Sequence, residues 1–126
     1  MSECTLLHAM LPVSDLERSL AFYAEFFGFY EIRRIELEQP SRTLVFIGAA
    51  SADPGAMQLE LWHEPGQSVR PISGHVGIGV NDIAERLAQL RAAGVPVLQE
   101  AAALRPGGRI IALVTDPDGH EIELLS

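Results

Sequence analysis

The chain is written twice. His8 to Val13 and His75 to Val80 fall in step, and the same spacing carries Asp15 onto Asp82 and Leu20 onto Leu87. Further on, Leu59-Glu60-Leu61 matches Ile122-Glu123-Leu124 at a slightly shorter spacing, as happens when loops drift after duplication. A chain built this way folds into two similar modules, each leaving one sheet face for a second module to cover.

Local patterning supplies the elements of each copy. Ser14-Asp15-Leu16-Glu17 has capping-box spacing and opens a helix from about residue 15 to 27, with Leu16, Leu20, Tyr23, Phe26 and Phe27 on one side and Gly28 at its end. A second helix follows Asn81-Asp82, turns Ile83, Leu87 and Leu90 inward, and stops at Gly94 before Val95-Pro96. Alternating or apolar runs predict strands near residues 4–12, 30–38, 43–49, 56–63, 73–80, 95–99, 109–115 and 120–125. They are separated by Gln39-Pro40-Ser41, Asp53-Pro54-Gly55, Pro106-Gly107-Gly108 and Asp116-Pro117-Asp118-Gly119. The order is βαβββ, twice, which predicts an α+β fold of two tandem modules, about 1–63 and about 71–126, with paired curved mixed sheets in a single domain spanning 1–126.

Strand parity then selects the chemistry. Side chains alternate faces along a strand, so His8 points away from Leu7, Ala9 and Leu11, which face the helix layer. The same rule sets His75 opposite Val76, Ile78 and Val80, Glu60 opposite Leu59 and Leu61, and Glu123 opposite Ile122 and Leu124. Any one of these residues alone reads as an ordinary strand His or an edge-strand Glu. All four at repeat-equivalent positions, on the face opposite the helices, read as a set. Two carboxylates buried there unpaired would each cost several kcal/mol, and a divalent cation removes that cost. Two imidazoles and two carboxylates suit Ni, Co, Mn, Fe or Zn, with open positions left for substrate. His63 and His120 have the opposite parity and are expected on the surface or in a layer behind the site. Cys4 shares parity with His8 but would sit ~13 Å away at about 3.3 Å per residue, too far to be a ligand. It is expected to be a small buried apolar residue.

Composition narrows the partners. With 126 residues, of which 48% are hydrophobic, the chain can bury a real core. A formal charge of -8 leaves no basic stripe, which argues against nucleic acid and against an anionic membrane surface, and in favour of a small molecule or another protein. No apolar stretch approaches the ~20 residues of a membrane span, and no secretory leader pattern is visible. The single cysteine fits a reducing compartment, so a cytoplasmic location is expected.

The segments Leu7-His8-Ala9-Met10-Leu11, Val13 through Leu20 with Phe22-Tyr23, Gly74-His75-Val76, and Asp116 through Leu124 together resemble the vicinal oxygen chelate superfamily, specifically bacterial glyoxalase I (lactoylglutathione lyase). Asp-Pro-Asp-Gly is a common hairpin sequence, and the His, Glu, His, Glu set is the more specific signature. The resemblance implies paired βαβββ modules of the glyoxalase, bleomycin resistance and dihydroxybiphenyl dioxygenase type. It also implies a homodimer whose interface sites join His8 and Glu60 of one subunit to His75 and Glu123 of the other. It implies one divalent metal per site, with Ni or Co favoured and Zn, Mn or Fe possible. The implied reaction turns a methylglyoxal-thiol hemithioacetal into a lactoyl thioester through an enediolate, with Glu123 as base and Glu60 as its partner. Methylmalonyl-CoA epimerases usually have Gln at the position of Glu60, so the acid here favours the glyoxalase branch.

Two positions depart from that pattern. Glyoxalase I usually has Arg where this chain has Pro12 and Asn where it has Glu64, and both family residues hold the glutamyl end of glutathione. Pro cannot pair with a carboxylate and Glu repels one. Arg70 lies near a position where some relatives place a glutathione-contacting Arg, and an ordinary solvated loop charge explains it equally well. Two other readings therefore stand beside the leading one. In the first, the same metal site serves a non-glutathione substrate. In the second, the chain is a metal-free dimer that binds small molecules, like the bleomycin-resistance proteins, for which four metal-type residues have no purpose.

Overall fold

The computed structural model of the protein describes residues 3–50, 53 and 55–126. Pro54, within the turn expected at Asp53-Pro54-Gly55, lies outside the described residues. The element order is β1 (His8–Pro12), α1 (Leu16–Phe27), β2 (Phe29–Leu37), β3 (Arg42–Ala49), β4 (Gln58–His63), β5 (His75–Gly79), α2 (Ile83–Ala92), β6 (Val97–Ala103), β7 (Ile110–Thr115) and β8 (Glu121–Leu125). The elements form two compact units, Met1–Val69 and Arg70–Ser126. Each contains a four-stranded mixed sheet, in the order β1-β4-β3-β2 and β5-β8-β7-β6, so the α+β class and the doubled βαβββ order are both observed.

In the first unit, β1 runs parallel to β4 while β2, β3 and β4 are antiparallel neighbours. Parallel pairing of the first strand with the last needs a crossover, and α1 supplies it. The helix starts at Asp15, whose carboxylate accepts the Arg18 N–H at 3.1 Å, so the cap is one residue later than the Ser14 capping box predicts. It ends at Gly28, whose left-handed φ of 67° lets its N–H reach back to the Ala24 carbonyl. Leu16, Ser19, Phe22, Tyr23 and Phe26 are its buried residues, and Tyr23 is completely enclosed. They share the core with Leu11, Val45, Ile47, Leu59 and Leu61. Each fully buried Leu, Ile, Val or Phe among them stabilises the fold by roughly 1.5–3 kcal/mol.

The second unit repeats the plan. β5 is parallel to β8, and β6, β7 and β8 are antiparallel. Leu87 and Leu90 are buried with Ile78, Ile111, Val114, Ile122 and Leu124. The loop before β8 is held by Asp116, whose Oδ1 accepts the N–H groups of Asp118 at 3.0 Å and His120 at 2.9 Å. Nδ1 of the fully buried His120 in turn accepts the Ile72 N–H at 3.0 Å. The Asp-Pro-Asp-Gly-His sequence thus closes a turn and ties it to the start of its own unit.

Three expectations about local structure need correction. Strand β1 begins at His8 and not at residue 4, because β4 begins at Gln58 and offers nothing further upstream to pair with. Cys4 therefore precedes the strand and is exposed, not buried. Strand β6 runs on to Ala103, well past residue 99, because β7 continues to pair with it as far as Ala103 opposite Ile110. Its Ala101-Ala102-Ala103 run has no alternation that could mark a strand in sequence.

Candidate metal and substrate site

Both acids arrive on the last strand of their unit, between two neighbours that bury themselves in the core. Glu60 stands between Leu59 and Leu61, and Glu123 between Ile122 and Leu124, so alternation turns each carboxylate to the face opposite the helix. The register shows that the two halves are equivalent at this point. Glu60 lies opposite Met10 on β1 and Phe46 on β3, and Glu123 lies opposite Gly77 on β5 and Leu113 on β7. In the first unit the row continues to Arg33 on β2, giving Arg33, Phe46, Glu60 and Met10 side by side. The second unit has Gln99, Leu113, Glu123 and Gly77. Residues paired this way point to the same face.

Each acid meets the histidine of its own unit. His8 Nε2 lies 3.6 Å from Glu60 Oε1, and His75 Nε2 lies 3.5 Å from Glu123 Oε1. The imidazoles are nearly half exposed at 41% and 46%, whereas the carboxylates are sheltered at 8% and 19%. Among the described residues of either unit, no third His, Cys, Asp or Glu joins the pair. Among the described residues, the sheltered Glu60 carboxylate has no hydrogen-bond donor closer than this imidazole, an arrangement a bound cation would relieve. The donor set therefore fits a divalent ion of intermediate hardness.

The surroundings of the two pairs differ in ways that the repeat conceals. The Phe46 ring packs edge-on against His8, with centroids 5.1 Å apart, and the Arg33 guanidinium lies 4.4 Å from the Phe46 centroid. Among the described residues no carboxylate lies within 4 Å of Arg33. Arg33 is thus a cation available on the Glu60 row, and it escaped sequence reading because a bulge between Glu31 and Arg33 shifts the parity of β2. In the second unit, Gly77 stands where the first unit has Met10, and a Cβ there would approach Glu123 Oε1 to 3.9 Å and crowd Leu125 Cδ1 at 3.2 Å.

The remaining candidates fall where parity places them. His63 Nδ1 lies 3.1 Å from the Val13 carbonyl, and His120 belongs to the buried turn network. Pro12 and Glu64 both line a cavity of about 360 Å³ in the first unit, together with Met10 and Trp62. Glu64 Oε1 accepts the Trp62 indole N–H at 2.9 Å. Arg70 is exposed and has no carboxylate within 4 Å among the described residues.

Comparison with known proteins agrees with this architecture. Residues 5–124 match the model of the Glyoxalase/Bleomycin resistance protein/Dioxygenase superfamily. A probable lactoylglutathione lyase from Vibrio parahaemolyticus is 38% identical, the match covering 99% of this chain and 92% of the relative. A lactoylglutathione lyase from Haemophilus influenzae is 37% identical, covering 95% and 90%. Among solved structures, the trypanothione-dependent glyoxalase I of Leishmania major superposes with a TM-score of 0.83 at 35% identity, covering 98% of this chain and 87% of that one. With a doubled βαβββ fold, a match over nearly its whole length and relatives of this kind, the chain belongs to the glyoxalase/bleomycin resistance protein/dioxygenase superfamily, on its glyoxalase I side.

Proposed function

We propose that this protein is a metal-dependent glyoxalase I-like enzyme that converts a methylglyoxal-thiol hemithioacetal into a lactoyl thioester. The observation that carries the proposal is the sheltered Glu60 carboxylate 3.6 Å from His8, repeated at the register-equivalent Glu123 and His75. Relatives named lactoylglutathione lyase at 35–38% identity support the activity. His8, Glu60, His75 and Glu123 would hold one divalent ion per site, with Ni or Co favoured and Zn, Mn or Fe also suited to the ligands. When bound, such an ion polarises the two neighbouring substrate oxygens and makes the carbon-bound proton between them more acidic.

The chain's own residues then perform the proton transfer. The Glu123 carboxylate takes the proton from the carbon that bears sulfur and returns it to the adjacent carbonyl carbon. The hydroxyl proton moves to the other oxygen, so the product has the same atoms as the substrate and no oxidant is required. Gly77 puts no side chain opposite Glu123, where Leu125 Cδ1 would lie 3.2 Å from an added Cβ, whereas the Met10 side chain stands opposite Glu60. This asymmetry supports Glu123 as the base and Glu60 as its partner.

One unit supplies only two ligands, and a catalytic ion ordinarily takes three or more from protein. A second unit is needed to complete the site, and the resemblance to glyoxalase I takes it from another subunit, in a homodimer in which His8 and Glu60 of one subunit meet His75 and Glu123 of the other at the interface. A cytoplasmic location belongs to the same proposal, and no helix among the described residues is long and apolar enough to cross a membrane. The test is metal analysis of protein purified without chelator, together with turnover of the methylglyoxal–glutathione hemithioacetal. Absence of both bound metal and turnover after incubation with Ni or Co rejects the proposal. A second reading, with the same site acting on another thiol, is favoured by Pro12 and Glu64 lining one cavity. The trypanothione-dependent relative shows that glutathione is not the only thiol used on this fold.

A further inference from the structure

Moving two residues along each strand from the His8–Glu60 pair leads from the reacting centre to a differently charged place. Met10 pairs with Glu60 and Pro12 with Trp62, and alternation keeps His8, Met10 and Pro12 on the face that carries Glu60 and Trp62, with Glu64 just past the end of β4. Met10, Pro12, Trp62 and Glu64, with Gln67 and Ser68, line the cavity of about 360 Å³. Successive same-face residues are ~6.6 Å apart, so the cavity begins within the length of a short thiol of the Glu60 row. It is placed to receive the part of the thiol that does not react.

The charge of this cavity is set by Glu64. Its Oε1 is fixed by the Trp62 indole N–H at 2.9 Å, a neutral donor that orients the carboxylate without cancelling its charge. Among the described residues, no Lys, Arg or His lines the cavity. The Arg42 guanidinium lies 5.7 Å from the Trp62 centroid and donates to the Pro40 carbonyl. It makes no ion pair with Glu64 within 4 Å among the described residues. Pro12 brings neither an N–H nor a charge. A ligand carboxylate would face an oriented negative charge and, among the described lining residues, only the neutral donors of Gln67 and Ser68 to offset it. A protonated amine would find that carboxylate, the Gln67 amide, the Ser68 hydroxyl and an indole ring that attracts cations.

We infer that this cavity is a subsite for a cationic, amine-bearing end of the co-substrate thiol, with Glu64 as the residue that selects it. The inference rests on the glyoxalase I-like reading of the His8–Glu60 face, and its test separates the two. Trp62 is the chain's one tryptophan, so its emission reports directly on occupation of the cavity. Three unreactive S-methyl thioethers of equal length, ending in a primary amine, a hydroxyl or a carboxylate, are titrated into the intact protein while Trp62 emission is followed. The hemithioacetals of the corresponding thiols with methylglyoxal are assayed in parallel.

The amine compound should bind at least about tenfold more tightly than the carboxylate compound, the range expected for one charge-assisted contact. Glu64→Gln keeps an oxygen for the indole N–H but removes the charge, and should collapse that ratio towards one. Glu64→Lys should reverse it. Equal binding of amine and carboxylate by the unaltered protein, or a ratio unchanged in Glu64→Gln, overturns the inference. If the amine compound binds as expected and none of the hemithioacetals is turned over, the cationic subsite stands and the enzymatic reading falls.

Discussion

His8 Nε2 lies 3.6 Å from Glu60 Oε1, with the histidine at the edge of the sheet and largely accessible and the carboxylate sheltered in its middle. The second unit repeats the relationship between His75 and Glu123 at 3.5 Å. On the proposed reading, each exposed imidazole and sheltered carboxylate would be half of a metal site that a second such pair completes.

Metal content is the first consequence. Protein purified without chelator and incubated with Ni or Co should carry about one divalent ion per chain, because four ligands make one site per chain whether the site forms within or between subunits. Elemental analysis of the desalted protein measures it. Removal of the ion with a strong chelator should abolish turnover, and addition of Ni or Co should restore it.

Glu123→Gln should retain much of the metal affinity and lose turnover by on the order of a hundredfold or more, since an amide oxygen still coordinates but an amide accepts no proton. Steady-state kinetics on metal-loaded variant and parent give the comparison. Near-parental activity would assign the base elsewhere, with Glu60 the next residue to replace.

Complementation tests the shared site. His8→Ala chains and His75→Ala chains should each be inactive alone. Mixing them under conditions that exchange subunits should return part of the activity, because the heterodimer has one site with both lesions and one intact site. If all four ligands of a site come from one chain, mixing restores nothing.

Glutathione should be a poor co-substrate. Pro12 and Glu64 replace a cationic and an amide contact with no donor and an added negative charge, and loss of one charge-assisted hydrogen bond costs ~1.5–3 kcal/mol, roughly ten- to hundredfold in kcat/KM. Pro12→Arg combined with Glu64→Asn should raise kcat/KM for the glutathione hemithioacetal by at least about tenfold, mainly through KM. An unaltered protein that already reaches ~10⁶ M⁻¹s⁻¹ on that substrate contradicts the expectation.

Asp116→Ala should destabilise the second unit by about 2–4 kcal/mol, because it orphans the N–H groups of Asp118 and His120 in a turn whose His120 is fully buried. Asp116→Asn keeps an acceptor oxygen and should cost less than half as much. Urea denaturation followed by circular dichroism provides the measurement.

The amino-acid sequence alone determined the doubled βαβββ order, both helices, and the side to which His8, Glu60, His75 and Glu123 turn within their strands. These features are local: helix periodicity, caps and strand alternation are set within a few residues, and the repeat doubles each signal. Tertiary structure decided what strand alternation cannot, namely which residues of different strands stand side by side. The row from Arg33 through Phe46 and Glu60 to Met10 depends on a bulge in β2 and on the parallel register of β1 with β4, both products of long-range pairing. The same holds for the start of β1 at His8, the extension of β6 to Ala103, the exposure of Cys4 and the burial of His120, each set by where a partner strand or turn begins or ends. Pro12 and Glu64 were conspicuous in the sequence as departures from a family pattern. Only the folded chain shows them lining one cavity, with Trp62 holding the Glu64 carboxylate, because a hydrogen bond between side chains depends on backbone placement and rotamers that no period in the sequence encodes.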